Sequence, residues 1–281
     1  MMNESTLQGS EVATERASVN QIKGMILDPN VSLVMDFDET IASTIHFQRA
    51  SFTDAVREVL NVNFVITEEF GRTQLRGKTG LEICRILFKH FGNVEDKKLV
   101  AQAVALRNNV LERLIIVEEN CTRYLIPGVD QMVRGLRKAQ KQAGIASQSP
   151  DGFIHTFLQR AIVDGKIIED VFPKDAVVGE TTVQGIEAAF ALLNQSTDPF
   201  LLYKPVPFPI YLAAGKIRQR ESDHILYVGD HNVDAQCVVG KQNMTGLIVN
   251  QSEGKRKELS LMYGQQRNIV IIGSLMEVLH E

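Results

Sequence analysis

The chain has 281 residues, 44% of them hydrophobic and 23% charged, with a net charge of −4. That length can bury a large core plus a smaller one, and the composition is that of an ordinary globular protein. It excludes the clustered Lys/Arg footprint of a nucleic-acid binder and the run of about eighteen uninterrupted apolar residues that a membrane span needs. Three cysteines, Cys84, Cys121 and Cys237, have an odd count and no metal-like spacing, which argues against a disulfide framework and for a reducing compartment. The N-terminal stretch is polar, carries Glu4, Glu11 and Glu15 and has no apolar signal segment, so a cytoplasmic protein is expected.

Residues 1–20 read as a flexible tail, poor in aromatics. Val31-Ser32-Leu33-Val34-Met35 is a short apolar run rich in β-branched residues, the signature of a buried strand. It delivers Asp36-Phe37-Asp38-Glu39-Thr40 to the strand's C-terminal end, where open α/β sheets bind their ligands. Residues two apart on a strand point the same way, so Asp36 and Asp38 could share one pocket. Like charges that close need a cation, or one keeps its proton. Mg²⁺, which prefers carboxylate oxygens and substrate phosphates, meets that need. One Asp can then attack phosphorus while the other moves protons. The competing reading is a solvated strand end followed by a helix cap.

From Thr44 to about Arg123 the periodicity is helical. It recurs in Phe52-x-x-x-Val56-x-x-Val59-Leu60, in Leu81-x-Ile83-Cys84-x-x-Leu87-Phe88, and from Glu95 to Glu118. A block of about eighty residues is too long for a loop and reads as a helical cap inserted after the first strand. The chain returns through Asn120 to Pro127 and enters a helix over Val129 to Gln142. A strand follows at Gly144 to Ser147. Ser149-Pro150-Asp151 looks like an N-cap with Pro in the first turn, opening a helix to about Val163. Further strands are expected at Ala176–Val178, Ile225–Val228, Leu247–Val249 and Ile269–Ile272, with a helix starting near Asn232. Alternating βα units with solid apolar strands predict an α/β fold, a doubly wound parallel sheet of Rossmann-like type. The expected division is a catalytic core of 21–43 and 125–281, with a cap of 44–124.

Asp36-x-Asp38-x-Thr40 resembles the first motif of the haloacid dehalogenase superfamily, in its phosphatase branch. Three further motifs of that family find matches in order. Ser147 ends the apolar run Gly144-Ile145-Ala146. Lys204 sits in Tyr203-Lys204-Pro205-Val206-Pro207, and Gly229-Asp230 through Asp234 follows an apolar run. Each is weak alone; four in order cover roughly residues 31–280. The resemblance implies Asp36 as nucleophile, Asp38 as general acid and base, Ser147 as a donor to the phosphoryl group and Lys204 as its counter-charge. It implies a Mg²⁺ ion held by Asp36, Asp230 and the backbone carbonyl of Asp38. Thr40 would support the loop, and Asp234 would serve the metal's waters or Lys204. Leu75-Arg76-Gly77-Lys78-Thr79-Gly80 resembles the family's substrate-specificity loop, giving Gly77, Lys78 and Thr79 as candidates; a basic turn between two helices is the competing reading. His46 and His231 read as bystanders.

Departures from the family pattern are Glu39 in place of Gly and Ser43-Thr44 in place of Asp-Ser. The stretch between Ala176 and Lys204 is also long, with a helical pattern Ile186-x-x-Ala189-Phe190-x-x-Leu193 and a turn at Ser196-Thr197-Asp198-Pro199. Lys174 lacks the Pro context and is a poor substitute for Lys204. The implied activity is a Mg²⁺-dependent phosphatase acting on a small phosphorylated metabolite, similar to phosphoglycolate phosphatases, with neither nucleic acid nor membrane as partner. Alternatives are a sugar phosphomutase, which shares all four motifs, and a catalytically silent binding protein on the same fold. A dehalogenase is disfavoured because that branch lacks a carboxylate at the place of Asp38. A phosphonate hydrolase would need a Schiff-base lysine, for which Lys78 is a weak candidate.

Overall fold

The computed structural model describes residues 18–192, 202–217 and 224–279. Strands β1 (Val31–Met35), β2 (Ala143–Ala146), β3 (Ile162–Val163), β4 (Lys166–Ile167), β5 (Val177–Val178), β6 (His224–Gly229), β7 (Met244–Val249) and β8 (Ile269–Ile272) make two sheets. The large one runs β5-β2-β1-β6-β7-β8 with every neighbouring pair parallel. All five β1 residues are buried, because helices cover both faces. Leu33 and Met35 enter one apolar cluster, with α1 (Val19–Leu27), α6 (Val129–Lys138) and α7 (Asp151–Arg160). Val34 points into another, with α9 (Phe208–Lys216), α10 (Asn232–Val238) and α11 (Glu253–Tyr263). That is the period-two alternation of a strand read in packing. The chain winds outward from β1 in both directions, so the strand order reverses beside it. The crevice at such a reversal, outside the strands' carboxyl ends, is where open α/β sheets place ligands.

Between β1 and β2 lie α2 (Ile45–Leu60), α3 (Glu68–Phe70), α4 (Gly80–Leu87) and α5 (Lys97–Ile116), the inserted helical cap. They bury their own apolar cluster, with Phe52, Val56, Leu87, Phe88 and Val100 at its centre. The crossings into and out of the insert lie side by side. Ser43 N–H donates to the Tyr124 carbonyl at 2.8 Å, and Ile126 N–H donates to the Ile41 carbonyl at 3.0 Å. Among the described residues the remaining α-helices are α8 (Glu180–Leu192) and α12 (Met276–Leu279). Among the described residues no helix is long and apolar enough to cross a membrane.

Several expectations need correction. Residues 18–20 belong to no tail: the Ser18 hydroxyl accepts from Gln21 N–H while the Gln21 side chain accepts from Ser18 N–H, a reciprocal cap that starts α1. Helix α6 stops at Lys138, short of Gln142. Helix α7 ends at Arg160, short of Val163, because the chain turns into the β3–β4 hairpin. The turn residues Asp164 and Gly165 have φ of 54° and 75°, the left-handed pair that an Asp-Gly hairpin turn demands. Ser149 is not the cap of α7. Pro150 occupies that position without a side-chain bond, and the Ser149 hydroxyl is used elsewhere. The turn expected at Ser196–Pro199 lies outside the described residues.

Candidate active site

Asp36 leaves β1 while still tied to the sheet, its N–H donating to the Val228 carbonyl at 2.7 Å. Lys204 reaches it from the loop before α9. The buried ammonium donates to Asp36 Oδ1 at 2.7 Å and to Asp234 Oδ1 at 2.9 Å. Asp234 is fully subscribed: Oδ1 also accepts from the Tyr227 hydroxyl at 2.8 Å, and Oδ2 accepts the backbone N–H of Asp230 and His231. This approach requires Gly229, since a Cβ there would lie 2.4 Å from Asp234 Cγ. Burial works to raise Asp234, but Lys204 and these donors outweigh it and hold its carboxyl below the usual range. Burial pushes Asp36 well up despite Lys204, because Lys204 is shared between the two acids.

Asp38 sits where four side chains converge. Oδ1 accepts from the Thr44 hydroxyl and from Gln48 Nε2, the latter at 3.0 Å. Oδ2 accepts from Ser147 Oγ at 3.1 Å and Ser149 Oγ at 2.7 Å. Thr44 and Gln48 lie at and just inside the start of α2; the two serines follow β2. Gln48 Nε2 also contacts Ser149 Oγ at 2.7 Å, and Gln48 Oε1 accepts from Arg107 of α5. Arg107 lies 3.5 Å from Glu180 Oε2, with both side chains about as buried as the core at 3% and 2% exposure. Its guanidinium stands 4.4 Å from the Phe52 ring centroid. Removing one partner of a buried ion pair strands the other. Glu180→Ala is therefore expected to cost about 3 kcal/mol, the low end of the range because Gln48 and Asn108 still accept from Arg107. Urea denaturation measures this, and a loss below about 0.5 kcal/mol, the scale of an exposed pair, would contradict it.

Ligand oxygens of Asp36, Asp230 and Asp234 lie within 4.8 Å of one another, all buried. With Asp234 filled, Asp36 and Asp230 are the two with open carboxylate oxygens. A hard cation that takes oxygen ligands fits such a pair. The Asp38 carboxylate is not in the cluster, so any contribution from that residue falls to its backbone carbonyl. The Asp230 carboxylate pairs with the half-buried Arg76, and its carbonyl accepts from Asn250 Nδ2 at 2.9 Å. Burial nonetheless pushes the Asp230 carboxyl up to about 7, against roughly 3.9 for an exposed Asp. Between those values the folded chain holds a proton that the unfolded chain has lost, so stability falls as pH rises. With chelator present, the wild-type denaturation midpoint should fall between about pH 4 and pH 7 more steeply than that of Asp230→Asn. Parallel curves would refute this.

These groups face one cavity of about 180 Å³ between sheet and insert. No protein-family model matches the chain, and a search of curated proteins finds no significant relative. Solved structures do match. A hydrolase described as HAD hydrolase, family IA, variant 3, from Entamoeba histolytica aligns at TM-score 0.59 and 17% identity, over 88% of this chain and 94% of that one. β-Phosphoglucomutase from Clostridium difficile aligns at 0.55 and 15%, over 87% and 91%. CbbY from Rhodobacter sphaeroides, in complex with phosphate, aligns at 0.56 and 15%, over 78% and 85%. The chain has the haloacid dehalogenase fold.

On that haloacid dehalogenase fold, Asp36, Asp38, Ser147, Lys204, Asp230 and Asp234 come together from four separate segments. Two expected roles shift. Ser147 gives its hydroxyl to Asp38 instead of pointing free into the cavity, and it accepts from Ser149 N–H at 3.1 Å. Thr79 caps α4, exchanging bonds with Glu82, so its side chain serves the helix and not a ligand. Gly77 has φ of 76°, and a Cβ there would lie 2.9 Å from His231 Cε1. The loop thus packs its backbone on the residue after Asp230. Lys78 lines the cavity but is exposed, and Arg76 forms an ion pair with Asp230 of the core. Thr40 is buried, with no partner for its hydroxyl. His231 lines the cavity and caps α10, while His46 stacks on Tyr124 at 4.9 Å away from it. Ser149, Gln48, Arg76, Arg107 and Glu180 were missed by the sequence reading. For Ser149 the signal was its place two residues after Ser147; the others lie in helices or loops whose facing needs the fold.

Proposed function

We propose that the protein is a Mg²⁺-dependent phosphatase that hydrolyses a small phosphomonoester through an aspartyl-phosphate on Asp36. The observation that carries this reading is the division of labour between two carboxylates two residues apart. Asp36 is fixed by Lys204 and keeps one oxygen open toward the cavity. Asp38 is surrounded by hydroxyls and an amide that can hold it in either protonation state. Asp36 attacks phosphorus, the ester P–O bond breaks, and Asp38 gives its proton to the departing alkoxide. Water then attacks the phosphoryl group, Asp38 takes the water's proton, and phosphate leaves with Asp36 regenerated. Positioned proton transfer of this kind contributes about 10²–10⁴-fold. The Ser147 and Ser149 hydroxyls can rotate to accept from protonated Asp38 or donate to it ionised. Lys204 offsets charge on Asp36 and the phosphoryl oxygens, the electrostatic positioning on which phosphoryl transfer depends. Mg²⁺, held by Asp36, Asp230 and the Asp38 carbonyl, would supply further charge neutralisation.

The purified chain is expected to release phosphate from p-nitrophenyl phosphate or acetyl phosphate, to lose this activity in EDTA and to regain it with Mg²⁺. Beryllofluoride with Mg²⁺ should raise the melting temperature by mimicking the phosphorylated Asp36. Full turnover with chelator present would rule out the metal requirement. No turnover of any phosphoester, with no stabilisation by beryllofluoride, would favour a silent binder. A phosphomutase differs only in returning the phosphoryl group to a substrate hydroxyl. The likeness to a β-phosphoglucomutase keeps that reading in view, and isomerised sugar phosphate without released phosphate would select it.

A further inference from the structure

Glu39 has φ of 56°, a left-handed conformation that glycine adopts freely and a bulky side chain rarely does. A residue kept there is expected to offset the strain with contacts of its own. The Glu39 N–H donates to the Ala42 carbonyl at 2.7 Å, closing a loop that brings the side chain to the start of α2. There Oε1 accepts from Thr44 N–H at 2.9 Å and Ile45 N–H at 3.2 Å, and from the Ser43 hydroxyl at 3.4 Å. A carboxylate at this end satisfies amides that the helix itself leaves unpaired, and it also complements the helix dipole. The two departures from the family pattern, an acid at Glu39 and none at Ser43, therefore meet at one helix end.

Thr44 is the residue that would ordinarily cap this helix. Threonine at an N-cap turns its hydroxyl onto a backbone amide of the first turn. Here Thr44 occupies the N-cap with φ of −112° and ψ of −4° and makes no side-chain cap bond. Its buried hydroxyl donates to Asp38 Oδ1 instead. Gln48, one turn further along α2, donates to the same oxygen at 3.0 Å. We propose that Glu39 is the positioning residue for Asp38. By holding the helix start itself, it releases the Thr44 hydroxyl to Asp38 and fixes α2 where Gln48 reaches the same carboxylate. Its kinetic consequence rests on the reading of Asp38 as proton carrier, and a structural readout keeps the two apart.

Glu39→Gly suits the backbone, so what it removes is the carboxylate. Its crystal structure is expected to show the Thr44 hydroxyl turned from Asp38 to the amides of its own helix. Glu39→Gln keeps an acceptor oxygen and should leave that hydroxyl on Asp38. Thr44 still bonded to Asp38 in Glu39→Gly would overturn the proposal whether or not any ester turns over. Kinetically, p-nitrophenolate departs readily as an anion, whereas phenolate is the stronger base and depends more on a proton donor. Glu39→Gly should lower kcat/KM about tenfold further on phenyl phosphate than on p-nitrophenyl phosphate, a part of what positioned proton transfer supplies. Glu39→Gln should recover most of that difference. Thr44→Val should give the same selective loss. Adding it to Glu39→Gly should cost less than about threefold more, because residues acting through one contact are not additive. Equal losses on the two esters, or additive losses, would overturn the proposal. Asp38→Asn is the control. An equal loss on both esters there would count against Asp38 as proton carrier, and the crystal structure would decide the role of Glu39 on its own.

Discussion

Asp36→Asn is expected to lower turnover of acetyl phosphate by at least about 10⁴-fold, the scale on which losing a covalent nucleophile acts. The fold should survive. Burial raises the Asp36 carboxyl well above its ordinary range, so in the metal-free protein its ionised form is disfavoured by folding. A group with a raised folded pKa gives stability below its unfolded pKa and loses it as pH rises. As pH rises above the ordinary carboxylate range that contribution falls away, and a neutral amide of the same shape does not share the loss. The melting temperature of Asp36→Asn in EDTA should therefore equal or exceed that of the wild type. Lost activity with a lowered melting temperature would mean that Asp36 is chiefly structural, and retained activity would remove it as nucleophile.

Lys204→Met should have the larger effect on stability. It deletes the cation between Asp36 and Asp234, whose oxygens lie 2.7 and 2.9 Å from the ammonium. What remains is two buried carboxyls facing each other and the Tyr227 hydroxyl. Stranding buried charge in this way costs about 3–5 kcal/mol, a large part of the roughly 5–15 kcal/mol that holds a domain together. Without Lys204, burial and mutual repulsion push both acids up. The variant should therefore regain stability as pH falls toward about 4 and lose it as pH rises. Urea midpoints for wild type and variant at pH 5 and pH 7.5 measure this. A variant as stable as wild type at pH 7.5, or one that weakens on acidification, would show that Lys204 does not neutralise the pair.

The sheet was readable because its strands are solid apolar runs. Val31–Met35, Ile225–Val228 and Ile269–Ile272 can bury both faces only in a parallel sheet. The acids at their ends were readable because strand ends converge on one edge. Helix α1 was not, since its signal is the pairing of Ser18 with Gln21 in a stretch whose composition resembles a tail. The β3–β4 hairpin announced itself in Asp164-Gly165 but was absorbed into the preceding helical pattern. Gln48, Arg107 and Glu180 could not be assembled from spacing. They sit on α2, on α5 and just after β5, and only tertiary packing brings an insert arginine within reach of a core glutamate. Within Leu75–Gly80 the candidates were Gly77, Lys78 and Thr79, whereas the side chain that reaches the core carboxylate is Arg76. A basic turn does not say which of its side chains folds inward.

The carboxylates Asp36 and Asp38 are separated by one residue in sequence but are moored differently. Asp36 is a rung of the sheet through its bond to Val228. Asp38 straddles a seam, with Ser147 and Ser149 of the core gripping one oxygen while Thr44 and Gln48 of the insert's first helix grip the other. The position of Asp36 is thus a property of the core, whereas that of Asp38 is set jointly by core and insert. A perturbation that shifts the helical layer would leave Asp36 where it is and pull Thr44 and Gln48 away from Asp38.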